Sequence, residues 1–214
     1  MGTALSVSIA LAFAVFAVKG INNKSVGSAL QLTARWSFLL FWVAYTGGAL
    51  ASLFGPLFAP LASRRREFGL AFAAAMQAHF ALVGGIFVFT HHPPLTGWIL
   101  VFFLTAAFLT YLLTISSFGG LSRALSSKRW RWLRTIAVNY IWLAFARDFV
   151  PVLFHSPKRY DLGSVEYSTL ALMAIAAPLL VAAASVVGRW RTSPTGRWSP
   201  ADHLASNRYQ ARTT

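Results

Sequence analysis

The sequence predicts an all-α, polytopic membrane bundle of about six transmembrane helices. Three observations carry the prediction. Hydrophobic residues make up 57% of the 214-residue chain and charged residues only 11%, against about a quarter charged in ordinary soluble domains. Several apolar runs reach the roughly 17–25 residues that a helix needs to cross a bilayer. The runs are continuous rather than alternating. A bilayer admits only helices or closed barrels, because it offers the backbone no water, so the pattern selects helices.

The first span is expected over about 2–18, in GTALSVSIALAFAVFAV. It is apolar like a signal peptide, but no positive charge precedes the run and Lys19 follows it, the reverse of a signal peptide's order. The remaining spans are expected at about 31–54, 68–89, 95–117, 135–153 and 168–187. Turn-forming residues punctuate the connections, as in GPLFAP, HHPP and FGGLS. Residues 1–187 thus form one transmembrane domain, and 188–214 a polar, basic tail expected to be disordered.

Lys and Arg set the orientation. Thirteen lie in the second and fourth connections and the tail, and four in the first and fifth connections. Basic residues collect on the cytoplasmic side, so both termini are expected there, in a bacterial inner membrane. The net charge of +14 is accounted for by these clusters, and no nucleic-acid partner is implied. The chain has no cysteine, which excludes disulfides, thiolate metal sites and thiol redox chemistry. Trp36 and Trp98 are expected near outer helix ends, and Trp130, Trp132 and Trp190 near inner ends, as an aromatic belt. Gly47, Gly48 and Ala51, and Gly69, Ala73, Gly84 and Gly85, are expected to line helix contacts, since small residues let helices approach in lipid.

Four ionisable residues fall inside spans: Arg35, His79, Arg147 and Asp148. Each costs roughly 2.5–3.5 kcal/mol at the bilayer centre on insertion scales, so each is a site hypothesis. His79 is central in its helix. It is either a haem-iron ligand or the donor of an interhelical hydrogen bond. Arg35, Arg147 and Asp148 share a depth, and a pairing of Asp148 with Arg35 is expected. The remaining positive charge would then receive an anion such as a haem propionate or a quinone head group, with Asn139 and Tyr140 nearby. His91 and His92 precede Pro93 and Pro94 at an outer helix end. Twelve or thirteen residues turn a helix by about 120° or 220°, so neither shares a face with His79.

The run TARWSFLLFWVAYTGGALASLFGPLFAPLASRRREFGLAFAAAMQAHFAL resembles the ferric reductase-like transmembrane domain superfamily. An arginine opens one span, a basic loop runs into RRxxGL ending at Gly69, and His79 follows ten residues later. SSKRWRWLRTIAVNYIWLAF resembles the family's basic lead-in to its fifth span. The resemblance implies membrane-embedded haem that carries electrons across the bilayer, with His79 as metal ligand and with Arg35 and Arg147 on the cofactor. It also implies fifth-span histidines. Those positions hold Arg134 and Arg147, and the fifth span has no histidine. Two functions follow. One is a redox subunit with haem at His79, fed by a separate donor protein or by quinol, since the tail has no dinucleotide fingerprint. The other is a non-enzymatic assembly or partner subunit of the same fold without haem. A transporter is disfavoured, because the two halves show no repeat and no paired interrupted helices. The Arg-Trp motifs GRWRTSP and GRWSP of the tail suit anionic lipid head groups.

Overall fold

A computed structural model describes residues 1–89, 96–118, 126–154 and 164–192, and every regular element among them is helical. The order is α1 (Gly2–Lys19), α2 (Asn23–Phe54), a 3₁₀ turn (Pro56–Phe58), α3 (Ala59–Ser63), α4 (Arg65–Phe89), α5 (Gly97–Ser117), α6 (Ser127–Phe149), a second 3₁₀ turn (Val150–Leu153) and α7 (Ser164–Thr192). The expectations for His91 and His92, and for the tail beyond Thr192, lie outside the described residues.

Five of these helices, α1, α2, α4, α5 and α7, are long and apolar enough to cross a membrane. The sixth long helix, α6, has 23 residues and is long enough at about 1.5 Å per residue. Its composition sets it apart: Arg129, Arg131 and Arg134 stand near its start, and Arg147 and Asp148 near its end.

Three helix boundaries depart most from the sequence expectation, two of them because of a local cap. Helix α2 begins eight residues before position 31 because Asn22 and Ser25 form a reciprocal cap: Ser25 N donates to Asn22 Oδ1 and Asn22 N to Ser25 Oγ, both at 2.9 Å. Such a cap satisfies two amides that a helix start leaves without partners. The resulting 32-residue helix is about 48 Å long, well beyond the ~30 Å hydrocarbon core. Helix α6 begins at Ser127, inside the expected fourth connection, behind the Ser126 cap on Arg129 N. Helix α7 runs on to Thr192, past position 188.

Helix α2 is the axis of the bundle. Trp36 Nε1 donates to Ala4 O and Lys19 Nζ to Ser28 Oγ, which lays α1 antiparallel along the first half of α2. Trp36 therefore packs mid-helix rather than at an outer end. Trp98, Trp132 and Trp190, by contrast, lie near helix ends with exposed rings. The core is aromatic. Phe38 of α2 packs on Phe145 and Phe149 of α6, Phe41 on Phe72 of α4, and Phe149 on Tyr167 of α7. Gly47 and Gly48 do sit at close approaches: a Cβ on Gly47 would meet Leu61 O at 3.1 Å, and one on Gly48 would meet Arg65 Nη1 at 2.7 Å. Gly69, Gly84 and Gly85 face open space, so for them the expected helix contact is corrected.

Helix α7 contains Pro178. A proline has no amide hydrogen, so the Ala174 carbonyl one turn earlier receives no hydrogen bond from position 178. Trp142 of α6 supplies one instead, its indole Nε1 donating to Ala174 O at 2.8 Å, and Trp42 of α2 donates to the neighbouring Met173 O at 3.0 Å. Two indoles thereby tie α2 and α6 to α7 beside its proline.

Candidate functional site

His79 projects from α4 toward α2. Its Nδ1 lies 3.1 Å from Thr33 Oγ1. The Thr33 hydroxyl has one proton, and two carbonyls lie within its reach, Ala29 O at 2.9 Å and Leu30 O at 3.1 Å. With that proton on a carbonyl, the hydroxyl accepts from Nδ1–H. In that arrangement the proton sits on Nδ1 and the ring's lone pair on Nε2; with the hydroxyl turned toward the ring instead, Nδ1 accepts. The ring edge meets Phe80.

Arg35 is buried, and its guanidinium lies 4.1 Å from the centroid of the Tyr167 ring on α7. Thr33 and Arg35 are two residues apart, about 200° round the helix. His79 and Arg35 therefore meet different sides of α2. Arg147 lies 5.8 Å from the centroid of the Phe103 ring on α5. Arg35 packs against Tyr167 of α7, while Asp148 stands beside Arg147 on α6. The structure thus holds His79, Arg35 and Arg147 in three separate contacts. Asn139 accepts from Tyr45 Oη at 2.9 Å, and Tyr140 Oη donates to Phe102 O.

A feature that sequence reasoning missed lies toward the basic end of the bundle. A cavity of about 660 Å³ opens among α2, α4, α5 and α6, with Val181 of α7 at its edge. Its α4 wall includes Gly69, and its nearest α4 residue to His79 is Ala73, six residues or about 9 Å along the axis. Among the described residues four arginines line it, Arg65 and Arg66 from α4 and Arg131 and Arg134 from α6, and no Asp or Glu does. Arg65 is held in place: its Nε donates to Ala44 O at 3.0 Å, and its Nη1 lies against the surface of Gly48. Arg66 donates to Ser117 O at the end of α5. The Arg134 charge acts on Arg65 across the cavity. The remaining wall mixes hydroxyls (Thr110, Thr114, Ser116, Thr135) with apolar side chains (Phe41, Phe72, Leu113, Ile141). The sequence signals for this site are the basic runs RRREFGL and SSKRWRWLR, which hold all four arginines, but nothing along the chain shows that they share a cavity.

Among the described residues, no histidine or methionine lines the cavity. His79 lies above it, with its ring engaged at the α2–α4 contact. No group of three or more His, Cys, Asp or Glu side chains that could hold a metal ion occurs among the described residues. No family model, curated protein or solved structure matches the chain.

Proposed function

We propose that the chain is an integral membrane protein of six spans, with α6 as the fifth and both termini on the cytoplasmic side of a bacterial inner membrane. In this reading it has the architecture of ferric reductase-like membrane domains and serves as a non-enzymatic assembly or partner subunit. The observation that carries the reading is the position of Arg134. Where the resemblance calls for a haem ligand, the chain places a guanidinium, facing a cavity with three more arginines. A guanidinium has no acceptor lone pair and cannot bind iron. The thirteen-to-four distribution of basic residues supports the orientation.

A second reading rests on His79. Its Nδ1 is within hydrogen-bond distance of Thr33, and metal-binding histidines are commonly fixed through their second ring nitrogen; with the proton on Nδ1, Nε2 would keep a lone pair for a metal. Haem bound there would supply one-electron transfer between the two faces of the membrane. The chain's own residues would orient the ring, and a separate donor protein or quinol would have to deliver the electrons.

A visible spectrum separates the two. The full chain is purified in detergent from cells with ample haem, and recorded oxidised and dithionite-reduced. The expected result is no Soret band. A Soret band that shifts on reduction and vanishes in His79→Ala would overturn the subunit reading in favour of electron transfer.

A further inference from the structure

We infer that the arginine-lined cavity between α4 and α6 is a binding site for a phosphate-bearing anion, and that it takes the head group of an anionic phospholipid. The inference goes beyond the subunit role proposed above, and its test does not depend on haem content.

Charge comes first. Arg65, Arg66, Arg131 and Arg134 converge from two helices on one cavity that no carboxylate lines among the described residues. Guanidinium groups bind phosphate through charge-assisted, often bidentate hydrogen bonds. Preorganisation comes second. Arg65 and Arg66 are fixed by the Ala44 and Ser117 carbonyls, so less side-chain freedom remains to be lost on binding. Arg131 and Arg134 are exposed and stand on the opposite wall. Shape and polarity come third. The volume of about 660 Å³ lies within the range of about 300–1,000 Å³ typical of ligand sites. It is far larger than a phosphate ion needs. Phe72 and Ile141 lie seven residues along their helices from Arg65 and Arg134, with hydroxyls such as Thr114 and Thr135 in the same wall. A cationic rim with apolar side chains farther in matches an amphiphile with its head at the arginines and its first methylenes deeper.

The test uses full-length protein in dodecyl maltoside. Native mass spectrometry measures retention of dioleoylphosphatidylglycerol and of dioleoylphosphatidylcholine, and thermal unfolding is followed with and without inorganic phosphate. The expected result is one tightly retained phosphatidylglycerol per chain. Loss of two charge-assisted bonds in Arg131→Gln/Arg134→Gln should weaken it at least about tenfold, while Arg134→Lys keeps most of the preference. Stabilisation by inorganic phosphate that depends on the same arginines, with no added effect of the lipid, would uphold the anion site and make its ligand a soluble phosphate. The inference is overturned if wild-type protein retains the two lipids equally and phosphate does not raise its Tm. It is equally overturned if a folded Arg131→Gln/Arg134→Gln variant keeps the full preference.

Discussion

Trp142→Phe tests how the bundle deals with a proline inside a membrane helix. The Ala174 carbonyl belongs to a fully buried residue and lacks an amide at Pro178, and the Trp142 indole donates to it at 2.8 Å. Removing the donor leaves a buried acceptor without that partner, at a cost of about 1–3 kcal/mol. Measured interhelical hydrogen bonds in membranes average about 0.6 kcal/mol, because the unfolded chain in lipid finds other partners. The Ala174 bond should exceed that average, since its carbonyl has lost its usual helical donor. Trp142→Phe alone also removes packing, so its cost is ambiguous. Pro178→Ala resolves it by restoring an amide at position 178. In that background Trp142→Phe should cost less by about 1 kcal/mol, within the usual coupling of contacting residues. The assay is far-UV circular dichroism of unfolding in mixed dodecyl maltoside and SDS micelles for the four proteins of the cycle. Additivity within about 0.3 kcal/mol would refute the argument, and Trp142 would then be simple packing.

Three further outcomes are expected. The chain has no cysteine, so single-cysteine variants report topology cleanly: an impermeant maleimide should label Lys24→Cys in intact cells and spare Lys128→Cys, and the reverse pattern would invert the proposed orientation. Gly48→Ala puts a Cβ 2.7 Å from Arg65 Nη1, and displacing that pinned side chain should lower stability by about 1–3 kcal/mol in the same unfolding assay; an unchanged midpoint would mean that Arg65 is not held where it is described. Thr33→Val removes the hydroxyl that holds His79 Nδ1, at an expected cost of about 0.6–2 kcal/mol, and the cost should largely disappear in a His79→Ala background.

How much of this was legible in the sequence depends on range. The apolar cores of α1, α4, α5 and α7 were, because hydropathy is a property of consecutive residues. The start of α2 was not read, because the Asn22–Ser25 cap lies in a polar stretch and acts through backbone amides. The matched depth of Arg35, Arg147 and Asp148 was visible from counting along helices. Their rotation was not, and Tyr167 on a distant helix decides which way Arg35 faces. The same holds for small residues: Gly47 and Gly48 are contact glycines and Gly84 and Gly85 are not, although composition alone makes them equivalent. The cavity was the least legible feature, since residues from five helices line it. A pairwise pattern along the chain carries no trace of such an assembly.

The orientation rule explains why this chain is rich in arginine on one side, but not why four of those arginines share one cavity. Positive-inside bias is a count, and outward-facing side chains anywhere on the cytoplasmic side would satisfy it equally well. Convergence of Arg65, Arg66, Arg131 and Arg134 instead sets like charges against one another, which is unfavourable without a counterion. A charge-relocation variant separates the two explanations. Arg134→Gln/Ser127→Arg keeps the net charge and the number of basic residues at the start of α6. It moves one guanidinium from the cavity wall to the exposed first turn. If the arginines serve orientation alone, this variant should match wild type in both maleimide topology and lipid retention. If they form a site, topology should stay unchanged while the preference for phosphatidylglycerol over phosphatidylcholine falls by about tenfold, the loss expected for one or two charge-assisted bonds. Retained preference with unchanged topology would show that surface charge density is sufficient, and that the cavity is a by-product of how α4 and α6 pack around the Phe72–Phe145 contact.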